Sequence, residues 1–167
     1  MIVDSANLCI GYARRLLDGI QPADFSKFAR VGDTTIQSNH PAFIFGHLSL
    51  YPVRIVSELG DDATSIQPSS AFDQLFSPSA TCQDDPDGTI YPAMNEITER
   101  FFVGYDAAIA ALRAAPDDQF TVENPNEKMR AKFKTKGSMH AFYVSGHMMI
   151  HLGQLSAWRR AMGLPPA

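Results

Sequence analysis

Four stretches of this chain carry helical periodicity, and about thirty residues without it separate the second from the third. That gap constrains the fold more than any other feature. Short links make antiparallel neighbours, whereas a link this long lets the chain travel the length of a bundle and begin its third helix parallel to the second. The first stretch covers about residues 3–18, with Leu8, Cys9, Tyr12 and Leu16 on one stripe and Gly19 closing it. The second, "NHPAFIFGHLSLYPVRIVSELG", covers about residues 40–59. Pro41 suits its first turn, Pro52 should kink it, and Gly60 terminates it. The third covers about 91–114, with Pro92 near its start and Pro116 just past its end. The fourth covers about 138–162, with Ser138 as cap, Arg159 and Arg160 complementing the C-terminal dipole, and Gly163 as stop. No segment sustains the alternation of a strand. The expected fold is therefore all-α: a single domain over residues 1–167, built as a four-helix bundle with a long crossover between helices two and three. Within the crossover, "SSAFDQLF" can form a short helix capped by Ser69 or Ser70. Residues 117–137 look irregular, and their basic run "NEKMRAKFKTKG" is expected to be a solvated loop.

Charge and composition narrow the function. A formal net charge of −4 argues against nucleic acid or an anionic membrane as partner, since both select a basic face. No apolar run is long enough to span a bilayer. The N-terminal stretch places Asp4 before its apolar part and its arginines after it, the wrong order for a secretory signal. Cys9 and Cys82 make no disulfide framework and are expected as free thiols in a reducing compartment, the cytoplasm.

The five histidines, His40, His47, His140, His147 and His151, all fall in the second and fourth helical stretches. At 100° per residue, His147 and His151 lie about 40° and 6 Å apart, one turn up the same face. His40 and His47 differ by about 20° in direction and 10 Å in height, as do His140 and His147. If the two stripes face each other, His47 can lie level with the His147/His151 pair, leaving His40 and His140 beyond the layer. His47 sits in the apolar run "FIFGHLSL", where an unpaired ring is costly, and Gly46 beside it permits close approach. His40, beside Pro41, fits a cap or surface residue. Gly146 and Gly153 flank the histidine turn and would let a helix or ligand come close. Three neutral imidazoles with an open position suit a catalytic zinc-type site, and nickel or iron accepts the same donors. Position 148 is Met148, so the helix lacks the built-in base of an HExxH peptidase. Met148, Met149, Phe142 and Tyr143 read as core packing.

"HPAFIFGHLSLYPVRIV" followed by "SGHMMIHLGQLSAWRR" resembles the DinB-like superfamily, which includes bacillithiol transferases and mycothiol-dependent isomerases. The resemblance implies an up-down-down-up four-helix bundle, often dimeric, in which a "GHL" and an "HxxxHxGQL" supply three metal ligands. Here those are His47, His147 and His151. It also implies a divalent metal, zinc or nickel with iron as a third option, activating a low-molecular-weight thiol for transfer or isomerisation. Gln154, three residues after His151, could orient a ligand or substrate, and Tyr12 and Tyr143 could line the pocket. A metal-dependent hydrolase is the alternative; it needs a carboxylate base, for which Glu96, Glu99 and Asp106 are the loose candidates. A non-catalytic metal-binding or interaction bundle is the third option, and it would close the metal with a fourth protein ligand.

Overall fold

A computed structural model describes residues 1–167 and is mainly helical. Helix α1 (Ile2–Leu17) buries Ala6, Cys9, Ile10, Ala13 and Leu16. These recur three and four apart, which keeps them on one helix face. Leu8, expected on the inward stripe, is instead exposed, so the buried face is turned by about one residue, or 100°.

A small hairpin follows and corrects the all-α expectation. Strand β1 (Ala29–Val31) pairs antiparallel with β2 (Thr34–Ile36), Ala29 opposite Ile36. Strands of three residues are too short to show alternation. The signal was the dipeptide Gly32-Asp33 between them, a two-residue hairpin turn. Gly32 has φ 57°, a left-handed conformation that costs a side-chain-bearing residue energy.

The second helical stretch is two helices, α2 (Pro41–Leu48) and α3 (Pro52–Glu58). Every residue of α2 is buried. Pro52 does more than kink the segment. It has no N–H to donate backwards, so the helix ends and restarts over Ser49–Tyr51. Helix α4 (Ser70–Phe76) forms within the long connection after α3, capped by Ser69, whose hydroxyl accepts from the Phe72 N–H at 3.2 Å. Beyond it, buried Asp85 accepts from the N–H groups of Thr89, Ile90 and Tyr91 at 2.9, 3.0 and 3.1 Å. This connection is thus tied down by its own carboxylate. Helix α5 (Met94–Ala114) starts later than expected, because the Tyr91 N–H is already committed to Asp85 and Pro92 lies ahead of the first turn.

The fourth stretch begins with α6 (Lys136–Ala141) and continues through a π-helical turn, Phe142–Gly146, into α7 (His147–Ala161). Thr135, not Ser138, is the cap. Ser138 is its reciprocal partner in a capping box, with both bonds at 3.2 Å. The π turn changes the phase of the helix. His140 and His147, which a straight helix would align within about 20°, meet different neighbours: His140 bonds Glu58 at 2.7 Å, and His147 meets His47 and His151.

Helix α5 packs on α2 and α3, α1 packs on α5 and α7, and α2 touches α7 and α4. One continuous cluster of buried apolar side chains draws on all of these helices. Its middle is aromatic: Phe101 packs on Phe45 and Tyr105 at 4.9 and 4.8 Å, and the Tyr105 hydroxyl donates to the Leu48 carbonyl. The 117–137 segment is less solvated than its composition suggests. Asn124 is fully buried, and Arg130 reaches the Asn124 carbonyl at 2.7 Å and Glu123 at 3.5 Å. No helix is long and apolar enough to cross a membrane.

Candidate metal centre

His47 comes from the last turn of α2, His147 opens α7, and His151 follows one turn later. Their ligand nitrogens lie within 4.8 Å of one another. His47 Nε2 is 3.4 Å from His147 Nε2, which is 3.2 Å from His151 Nε2. Nitrogens bound at about 2.0–2.1 Å with tetrahedral angles would be about 3.3 Å apart, so these two spacings suit one small cation, while the third pair, His47 and His151, lies within 4.8 Å and must close further around it.

The other ring nitrogens orient two of the three imidazoles. His47 Nδ1 lies 2.8 Å from the Phe76 carbonyl. A carbonyl only accepts, so Nδ1 carries the proton and Nε2 keeps its lone pair. His151 Nδ1 lies 3.0 Å from Gln154 Oε1, which also accepts from Asn39 Nδ2 at 3.1 Å. This again leaves Nε2 bare. His147 Nδ1 is buried with no partner, and its ring is held by packing on Tyr51 and Phe142 at 4.4 and 5.5 Å. Lone pairs converging at these distances repel unless a proton or cation lies between them. A second proton is opposed: burial, then the neighbouring rings, pushes His147 down to about 3, so the only proton available between the rings is the one neutral His147 carries, which can sit on Nε2 because Nδ1 has no partner. Burial first of all also lowers His47 and His151. Neutral imidazole is the metal-binding form.

Gly46 explains how Phe76 reaches His47. A Cβ at position 46 would meet the Phe76 ring. Glycine lets α4 settle on α2 so that the Phe76 carbonyl meets Nδ1. Tyr51 adds a hydroxyl 3.2 Å from His47 Nε2. The three histidines, with Asn39, Phe43, Tyr51, Ser77, Pro78 and Ala80, line a cavity of about 360 Å³.

The remaining candidates lie elsewhere. His40 is a cap, its Nδ1 accepting from the Phe43 N–H, but it is fully buried rather than at the surface. His140 is buried against Glu58. Tyr143 packs on Tyr51 at 4.8 Å, and Tyr12 lies under Arg15; neither lines the cavity. Glu96 and Glu99 border a separate cavity with Arg100, and Asp106 is exposed. No carboxylate lines the histidine cavity. Gly153 faces open space and Gly146 meets only Phe142 of its own π turn, so neither admits a packed helix. Burial raises the Cys82 thiol to about 11, which keeps it protonated. Asn39 and Tyr51 went unmarked in the sequence. Tyr51 carried a faint signal, four residues beyond His47; Asn39 carried none.

Gln154 acts on the cluster through His151. Gln154→Ala is expected to weaken metal affinity by about 10–100-fold while leaving the stoichiometry unchanged. Competition against a chromophoric chelator checks this, and unchanged affinity would remove Gln154 from the site.

No protein-family model, curated protein or solved structure matches this chain. What the residues themselves establish is a mainly helical protein whose three-histidine cluster can hold a metal ion.

Proposed function

We propose that this chain is a metal-dependent enzyme of the DinB-like type, a four-helix bundle in up-down-down-up order. In it His47, His147 and His151 hold one divalent ion, zinc or nickel with iron as a third option. The observation that carries this is the convergence of three Nε2 atoms, at 3.4 and 3.2 Å, with the Nδ1 protons of His47 and His151 committed to Phe76 and Gln154. A metal bound there lowers the pKa of a coordinated thiol, which favours a thiol transferase with a low-molecular-weight thiol as substrate. The protein's own part is to supply three neutral donors, hold two of them by their outer nitrogens, and shape the cavity. Phe43, Pro78 and Ala80 give it an apolar wall, and Asn39 and Ser77 give it neutral polar groups that can orient a polar substrate.

Hydrolysis is disfavoured because the cavity walls hold no carboxylate to act as base. A closed structural site is disfavoured because no fourth His, Cys, Asp or Glu joins the cluster. Two chains are the proposed assembly, on the resemblance alone.

Metal analysis of protein purified without a histidine tag tests the assignment. About one equivalent of zinc, nickel or iron is expected in the wild type, as for a single three-ligand site. The His147→Ala/His151→Ala double variant should lose it. A wild type that stays metal-free after incubation with these ions would sink the proposal.

A further inference from the structure

We propose that the Tyr51 hydroxyl is the hydrogen-bond donor to the exogenous ligand at this centre, and that it favours ligands whose bound atom keeps a free lone pair, such as a thiolate or a hydroxide. The inference rests on the metal assignment above.

Tyr51 lies just before Pro52, where α2 has ended and α3 has not begun. Its side chain lines the cavity and is only 8% exposed. The hydroxyl oxygen is 3.2 Å from His47 Nε2. The proton of His47 is on Nδ1, against the Phe76 carbonyl, so Nε2 is bare and the phenol donates to it. An imidazole nitrogen has one lone pair. A metal ion on Nε2 uses it, and Tyr51 then has no acceptor there.

A buried hydroxyl without an acceptor is costly. The ring cannot swing away from the centre, because it is packed on Tyr143 at 4.8 Å and on His147 at 4.4 Å. His147 and His151 offer no replacement, since their Nε2 lone pairs face the same ion. The acceptor left within reach is whatever ligand fills the cavity beside the histidines. Tyr51 thus exchanges one partner for another when metal and ligand bind. The exchange rewards a ligand atom that can still accept after coordination.

The test uses cobalt(II) as the metal, with azide and imidazole as probes read by visible absorption. Azide keeps lone pairs on its bound nitrogen; imidazole keeps none. Wild type and Tyr51→Phe are expected to bind cobalt(II) within about threefold of each other. Azide should bind the variant about 10- to 100-fold more weakly, the range for one hydrogen bond to a charged group. Imidazole should bind both alike. Equal azide affinity would overturn the inference and leave the metal assignment intact. Loss of cobalt(II) by Tyr51→Phe would make Tyr51 a ligand, and so also overturn the donor role alone. A wild type that binds no cobalt(II) would overturn both. Should the variant not fold, the infrared stretch of azide on the wild type decides. A shift between H2O and D2O supports a hydrogen bond at the ligand, and no shift counts against it.

Discussion

Gly46→Ala is expected to destabilise the folded chain by about 3 kcal/mol, the upper end for overpacking a core, and to weaken metal binding with it. The added Cβ would meet the Phe76 ring. That ring cannot give way easily: it is fully buried, with Phe72, Phe43 and Tyr91 around it at 4.5, 6.1 and 5.6 Å. If the ring moves, the Phe76 backbone moves with it, and the carbonyl that holds His47 Nδ1 is lost from its 2.8 Å position. One methyl group thus acts on both the core and the site. Urea midpoints give the stability, and chelator competition gives the affinity. Adding Phe76→Leu to Gly46→Ala should recover part of the loss, because the two changes share one contact. A Gly46→Ala protein with wild-type midpoint and affinity would show that α4 is not pinned there.

Acid is expected to remove about 3 kcal/mol between pH 6.5 and 4 through His40 alone. Burial lowers its pKa to about 4, against the pull of the Gln83 carbonyl and of Asp84 and Asp85. The unfolded chain takes up that proton near pH 6.5, whereas the folded chain resists it until about pH 4. The unfolded state therefore binds more protons across this window. Stability is full above it and falls as pH falls. A shift of about 2.5 units at 1.36 kcal/mol per unit sets the size. Geometry gives the same sign: Nδ1 accepts from the Phe43 N–H, so a proton placed there destroys the cap of α2. His47, His147 and His151 are also lowered and add in the same direction, and metal should be released as they protonate. Urea midpoints at pH 7.5 and 4.5 for wild type and His40→Asn measure the His40 share. Asparagine can cap a helix but does not titrate, so the variant should lose less stability on acidification. The same pH dependence in both proteins would refute the assignment.

Much of the candidate site is a consequence of local geometry. Two histidines four apart on a helix are neighbours whatever surrounds them, and the structure places His147 and His151 so, with Gln154 one turn further on. His47 was legible because a polar ring in the apolar run of α2 needs partners. Helix existence was legible for the same kind of reason, from proline, glycine and apolar spacing within each segment. The hairpin was marked only by its Gly32-Asp33 turn, because three-residue strands are defined by their pairing and not by their own pattern.

The chain by itself determined most of its helical segments, a disturbance at Pro52 and that His147 and His151 share a helix face, since these depend on residues a few positions apart. Only the tertiary structure decided the rest. Glu58 takes up His140 from 82 positions away, Asn39 reaches Gln154 across 115 positions, and Phe76 comes to His47 over the missing side chain of Gly46. Each of these depends on where a distant backbone lies, and packing sets that position to fractions of an ångström, a scale that spacing along a chain does not encode.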